Sequence, residues 1–357
     1  MCPYCDFAVE VGEPPHELYR DAVLSELALR APRFSGELVS IYLGGGTPSL
    51  WRPDCIAAVI EAVTQRFGGA PREITIEANP TDCTLANLAA WRAAGIDRIS
   101  IGVQSFAQAE LVVLGRDHRF GDGAAAIERV LGFGGFRVSA DLILGVPGAA
   151  SRVDQGPGWL DTVAALAVDH LSIYELTIED RTAFGQRVRD GRLVPLPDDT
   201  LATLYTTTHT ALVAAGYEHY EISSYARPGR RAVHNSLYWQ AAPFLGLGVG
   251  AASLEVLPDG GGVRTTNPRR YRDYVVAPGV PAETLAMDAV EMATDRAWLG
   301  MRTSDGVTEA SLGPAVGVAE GLVAEGLAER RDGRICPTLR GFLMSDRIAA
   351  RIVQCWA

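Results

Sequence analysis

Over roughly its first 220 residues the chain alternates short β-branched runs with longer amphipathic stretches, and few folds satisfy that alternation. Candidate strands cover 38–43, 73–77, 98–103, 137–144, 171–176 and 218–222. Candidate helices cover 53–67, 84–94, 123–131, 159–167 and 198–215. Gly68-Gly69 and Gly95 stand just past two of these helices, where a left-handed residue ends a helix. Strands alternating with helices imply right-handed βαβ units and a parallel sheet. Whether or not such a sheet closes, its ligands sit at the carboxyl ends of the strands. Every unusual polar motif of this chain falls at such an end.

The pattern changes after about residue 225. Residues 226–262 read as loop-rich, with Pro, Gly and aromatics but little periodicity. Residues 285–299, 309–316 and 318–326 read as small helices, followed by a hairpin-like piece, 327–336, with Asp332-Gly333 at its turn. The expected division is therefore an α/β domain over 1–225, a connecting segment over 226–283 and a small winged-helix-like domain over 284–357. A length of 357 residues suits one large domain with an appendage. A net charge of −11 argues against nucleic acid as a partner, so the wing is read as structural. No run approaches the roughly 18–20 apolar residues of a membrane span, and Met1–Glu10 has neither the basic nor the apolar part of a secretory signal. Six cysteines in so long a chain are not a disulfide framework. These features together predict a cytoplasmic protein.

Cys2-Pro3-Tyr4-Cys5 is a C-x-x-C pair, a pattern shared by half zinc sites, thioredoxin-like redox pairs and iron–sulfur motifs. Cys55, Cys83 and His16 are too isolated in sequence to complete an obvious zinc set. The strand at 38–43 runs into Gly44-Gly45-Gly46-Thr47-Pro48, where backbone N–H groups can approach a ligand with no Cβ in the way. The run matches neither a P-loop nor a dinucleotide fingerprint. Glu77, Gln104, Arg116 and Asp141 also sit at or near strand ends. Each alone reads as a surface or capping residue except Asp141, whose charge inside the apolar run 138–146 demands a partner or a ligand. Converging on one mouth, the four could hold the amine, carboxylate and ribose of a nucleoside-bearing cofactor.

Taken in order, Cys2–Phe7, Tyr42–Pro48, Glu77-Ala78-Asn79-Pro80, Ile99–Phe106 and Asp141–Gly148 resemble the radical-SAM family. The branch they resemble holds the oxygen-independent coproporphyrinogen III oxidases and the haem chaperones. The likeness continues through Tyr220–Ala226, His234–Trp239 and Gly341–Asp346, so it spans essentially the whole chain. It implies a partial (β/α)6-type barrel for 1–225.

The resemblance implies further a 4Fe–4S cluster bound by three cysteines in a C-x-x-x-C-x-x-C motif, with S-adenosylmethionine (SAM) on the iron left open. Cys2 and Cys5 match the second and third of those cysteines; the first would fall four residues before Cys2, ahead of Met1. The strand that opens the barrel in the family is not seen either, and a start assigned too far downstream or a trimmed sequence is the expected explanation. Cys83 is a minor candidate for a substitute ligand. The same carry-over places Gly45, Gly46 and Thr47 against the methionine end of SAM. It makes Glu77, Gln104, Arg116 and Asp141 cofactor contacts, with the planar fork of Arg116 on a carboxylate.

Two residue patterns favour the chaperone branch. The oxidases resemble C-x-x-C-x-C, whereas Phe7 stands at the place of the extra cysteine. The His234-Asn235-x-x-Tyr238-Trp239 motif also looks like the chaperone branch. An imidazole can ligate haem iron axially and aromatics can flank a porphyrin. Alone, His234 would read as a loop histidine bound to a carbonyl; His118 is the next candidate ligand. The expected function is a chaperone that binds haem and delivers it to acceptor haemoproteins, with a reductant protein as a further partner. The alternative is an oxidase that decarboxylates two propionates of coproporphyrinogen III.

Overall fold

The computed structural model describes residues 2–8, 12, 15–119, 121–147 and 158–356; Gly148, the last residue of the Asp141–Gly148 motif, lies outside them. The chain divides into two compact units. The first comprises residues 1–21, 37–218 and 223–231, and the second residues 22–36, 219–222 and 232–357.

After helix α1 (His16–Arg30) the alternation proceeds as β1 (Ser40–Leu43), α2 (Pro53–Phe67), β2 (Glu73–Ala78), α3 (Leu85–Ala93) and β3 (Arg98–Gln104). It continues with α4 (Gln108–Val113), α5 (Asp122–Phe133), β4 (Arg137–Leu144), α6 (Gly158–Ala165) and β5 (His170–Glu175). Then come α7 (Ala183–Arg189), α8 (Asp198–Ala214), β6 (Glu218–Glu221) and β7 (Ser224–Ala226). The sheet order is β1-β2-β3-β4-β5-β7-β6, with β1 to β5 parallel. Five parallel strands in unbroken sequential order mean that every right-handed crossover turns the same way. Helices then cover one face only, and the other face becomes the inside of a barrel rather than the second side of a doubly wound sheet. Among the described residues the two outer strands do not pair with each other, so the barrel is partial, as the family resemblance implies.

Period-2 alternation divides the residues between the two faces. Ile74, Ile76, Ile99, Ile101, Val103, Val138, Ala140, Leu142, Leu171 and Ile173 share one core with Ile56, Leu88, Trp91, Ile127 and Val130 of the helices. The opposite face carries Thr75, Glu77, Arg98, Ser100, Gly102, Ser139, Asp141, His170 and Ser172, which are polar apart from one glycine.

One strand departs from expectation. The strand expected at 218–222 forms as β6 (Glu218–Glu221), but β7, which the sequence reading missed, pairs antiparallel with β5 and comes between β5 and β6. At three residues β7 is too short to show a period. Helix α1 was missed as well, because Glu26 and Arg30 lie on its buried face and break the apolar stripe.

Most of 226–262 is loop, with two short elements set in it. These are helix α9 (Val233–Trp239) and strand β8 (Ala252–Val256), followed by β9 (Gly262–Thr266), α10 (Tyr271–Val276) and β10 (Glu283–Met287). The three strands form an antiparallel sheet, β10-β9-β8. Helix α11 (Ala289–Gly300) starts later than the expected 285, because Asp288 and Glu291 close a capping box that ends β10. Beyond it lie β11 (Val307–Thr308), α12 (Val316–Ala324), β12 (Ala328–Arg331), β13 (Arg334–Pro337), α13 (Leu339–Leu343) and α14 (Ser345–Gln354). The β12–β13 hairpin turns at Asp332 (φ 51°) and Gly333 (φ 74°), two successive left-handed residues of a type I′ turn.

A buried polar group lies beside the β8–β9–β10 sheet. Glu26, with no exposed surface, accepts from Arg30 (3.0 Å) and the Asn267 amide (2.7 Å) on Oε1, and from the Gly248 N–H (2.8 Å) and Tyr274 hydroxyl (2.7 Å) on Oε2. Arg30 also donates to Ser253 (3.0 Å) and Thr265 (2.5 Å). Every oxygen of the carboxylate thus has donors, the condition under which a buried charge is tolerable.

Candidate functional site

In the first unit, the expected cofactor residues gather at the carboxyl ends of β1 to β4. Glu77 ends the polar file of β2. Its Oε1 accepts from the Tyr42 hydroxyl (2.6 Å) and its Oε2 from the Gly45 N–H (3.1 Å). The glycine run is needed there, since Gly45 has φ +118° and a Cβ on Gly44 would run into the Tyr42 ring. Burial raises the Glu77 carboxyl to about 6, with the neighbouring Asp141 charge adding to the effect and the Tyr42 and Gly45 hydrogen bonds opposing it. Burial and the Glu77 charge likewise hold the Tyr42 phenol well above its usual range. Thr47 turns its hydroxyl back onto the Gly46 carbonyl (2.8 Å).

Arg116 and Gln104 meet over Gly102. A Cβ on Gly102 would fall 2.9 Å from Gln104 Nε2 and 3.3 Å from Arg116 Nη2. Gln104 is placed by a break in the β3–β4 register and by φ 64°, a left-handed conformation uncommon for a side-chain-bearing residue. Arg116 donates from Nη2 to Asn79 Oδ1 (2.8 Å) and the Gly102 carbonyl (3.2 Å), and from Nη1 to Cys2 Sγ (3.5 Å). Asn79 in turn reaches Asp82 (3.4 Å), which Ser49 also contacts (2.6 Å).

Asp141 has the partner its position demands. Ser100, across from Glu77 in the β2–β3 register, donates to Oδ1 (3.0 Å) and Oδ2 (2.9 Å), and Ser172, across from Asp141 on β5, donates as well. Burial pushes the Asp141 carboxyl up, and these two serines and the Arg98 charge pull against it. Below them His170 bonds Ser139 (2.9 Å) and is held neutral by burial and the same arginine.

Cys2 and Cys5 close one turn, with the Cys5 N–H on the Cys2 carbonyl (3.2 Å). The turn is seated by Pro3, whose carbonyl accepts from the Phe184 N–H (2.9 Å) and whose ring abuts Gly115, leaving no room for a Cβ there. Among the described residues no group of three His, Cys, Asp or Glu side chains could hold a metal ion. Two thiolates fall short of the three that leave one iron of a cubane open, so the residues present do not complete a cluster site. Cys83 supplies no substitute: its thiol is fully buried, donates to the Asn79 carbonyl (3.6 Å) and is pushed up to about 12 by burial. For SAM the fit is better. A backbone N–H beside a glycine turn, an arginine fork and two carboxylates open onto one end of the sheet, which suits a cationic sulfonium bearing an amine and a carboxylate.

In the second unit, helix α9 carries the other expected residues. His234 Nε2 lies 3.1 Å from the Tyr238 hydroxyl, one helical turn on, with the rings edge-to-face (4.9 Å between centroids, 89°). Tyr238 meets Phe244 in the same way (4.8 Å, 87°). Asn235 donates to the Tyr220 hydroxyl (3.3 Å), and the indole N–H of Trp239 is buried without a hydrogen-bond partner among the described residues. Adjacent helical residues point about 100° apart, so Tyr238 and Trp239 do not share one face, and it is Phe244 that continues the aromatic row. His118 is buried, its Nε2 donates to the Val103 carbonyl (3.0 Å), and burial lowers its basicity.

The sequence reading missed Tyr42, Asn79, Ser100, Ser172 and Phe244, all of which hold a named site residue in place. The first four lie on or just past barrel strands, and only the strand register brings them beside the residues they support.

Residues 1–150 match the model of the radical SAM superfamily. The chain is 34% identical over 362 aligned positions to the heme chaperone HemW of Mycobacterium tuberculosis, covering 99% of this chain and 91% of that protein. It is 37% identical to the heme chaperone HemW of Escherichia coli, over 77% and 72% of the two chains. A mouse protein described as radical S-adenosyl methionine domain-containing protein 1, mitochondrial, is 38% identical over 86% of this chain and 71% of its own. Among solved structures, the coproporphyrinogen III oxidase HemN of Escherichia coli superposes with a TM-score of 0.78 over the whole chain and 87% of its own, at 22% identity, a likeness of fold.

Proposed function

The chain belongs to the radical-SAM haem chaperone family, and we propose that it binds haem in the second unit and hands it to acceptor haemoproteins. The observation that carries this reading is the His234–Tyr238–Phe244 row on and beside α9, an imidazole set among aromatic edges in a chain resembling haem chaperones over nearly its full length. Imidazole supplies an axial ligand for haem iron, and Tyr238, 41% exposed, leaves an apolar edge for a porphyrin.

At the barrel mouth, SAM would present an amine, a carboxylate and a cationic sulfonium. Arg116 would take its carboxylate, Glu77 and Asp141 its cationic part, and Gly45, Gly46, Thr47 and Gln104 would border it. The chain's own contribution is orientation: Asn79 fixes the Arg116 fork, and Ser100 and Ser172 fix Asp141. Cys2 and Cys5 would supply two of the three thiolates that a 4Fe–4S cluster with one open iron needs. A cytoplasmic setting, a reductant protein as partner and the three-part division 1–225, 226–283 and 284–357 belong to the same proposal. No described helix is long and apolar enough to cross a membrane.

Ferric haem titrated into the protein, followed by its Soret band, tests the reading. His234→Ala is expected to weaken binding at least tenfold, while coproporphyrinogen III incubated anaerobically with reductant and SAM stays unconverted. Undiminished haem affinity in the variant removes His234 as the ligand, and conversion of the porphyrinogen returns the chain to the oxidase branch.

A further inference from the structure

We propose that Tyr238 is a latch on His234, occupying the Nε2 position that haem iron would take and giving it up only when haem displaces it. The inference rests on reading His234 as the haem ligand.

The geometry is specific. Spacing of four residues on α9 brings the two rings together, and the Tyr238 hydroxyl stands 3.1 Å from His234 Nε2. Nε2 is engaged in either tautomer: unprotonated, its lone pair accepts from the hydroxyl; protonated, it donates to the hydroxyl oxygen. The phenol stays protonated through the physiological range, because burial raises it. Phe244 backs the Tyr238 ring edge-to-face and is itself held on a short backbone bridge, Phe244 N–H to the Leu254 carbonyl (3.0 Å) and Leu254 N–H to the Phe244 carbonyl (2.9 Å). Tyr238 thus has a fixed wall on one side and, at 41% exposure, room to swing on the other.

Ligation would form one iron–Nε2 bond and break one hydrogen bond. With the proton on Nδ1 nothing leaves; with it on Nε2, the proton passes to Nδ1 as iron binds. The returning hydroxyl competes with iron for the same nitrogen, which suits a protein that must release its cargo. It keeps ligation reversible without removing the ligand.

Tyr238→Phe keeps the ring and its packing on Phe244 and deletes only the hydroxyl. A neutral hydrogen bond has a net worth that corresponds to a change of roughly 3- to 10-fold in affinity. The variant is expected to bind ferric haem that much more tightly than the unaltered chain, mostly through slower dissociation to excess apomyoglobin. Unchanged or weaker binding overturns the latch. His234→Ala, run beside it, tests the ligand reading separately, since it should lose haem whether or not Tyr238 is a latch. A third measurement needs no haem. In the folded, histidine-15N-labelled protein, the His234 Nε2 resonance should move in Tyr238→Phe, and an unmoved resonance overturns the proposal even if His234 is the ligand.

Discussion

Burial sets the charge of Glu77 more than any neighbour does, and that has a measurable sign. Its carboxyl is raised from an ordinary 4.5 to about 6, so between those values the folded chain keeps a proton that the unfolded chain releases. Stability contributed by the protonated form is present below about 4.5 and is lost as pH rises through about 6, a loss of about 2 kcal/mol. Glu77→Gln removes that dependence. Urea unfolding at pH 4.5 and 7.5 should show the variant losing less stability across the interval than the unaltered chain. A cationic ligand at the site should favour the ionised form and release a proton on binding. Glycines at strand ends, a charge inside an apolar strand and the His234 motif were all readable as residue types. What holds them was not, because Tyr42, Asn79, Ser100 and Ser172 act across the sheet, through a register that no single stretch of chain specifies.

Elements whose ends carry turn or capping chemistry appeared near their expected places, whereas those built on tertiary contacts did not. Helix α2 matches the residues expected, and the β12–β13 hairpin turns where Asp332-Gly333 foretold. That turn yields a prediction at this scale. Gly333, at φ 74°, occupies a left-handed position that a Cβ penalises, although nothing lies within 4 Å of where that atom would stand. Gly333→Ala should therefore cost about 1 kcal/mol through backbone strain alone. Thermal unfolding would show a drop of a few degrees, and Gly333→Asn, which tolerates the left-handed region, should recover part of it. The missed elements share a physical cause: β7 has three residues, β8 does not alternate, and α1 buries charge where apolar residues announce a helix.

At the scale of the whole molecule, the second unit is closed around Glu26 and Arg30. Arg30→Met would leave the Glu26 carboxylate buried with neutral donors only, which costs about 3–5 kcal/mol, and Glu26→Gln in the same chain should restore part of the loss. Urea unfolding of the three chains checks this, and equal stability of the single and double variants would contradict it. The group also has a consequence in time. The partners of Arg30 and Glu26 lie up to 248 residues further along, at Tyr274, with nearly all of the barrel encoded in between. A ribosome adding about 5–20 residues per second needs on the order of ten seconds or more to cover that interval. For that time the nascent helix carries the Glu26–Arg30 pair without the distant polar partners that enclose it, while β1 to β5 emerge and can pair. The barrel is thus free to form first, and the second unit must wait for translation almost to Tyr274 before its oldest residues can be buried.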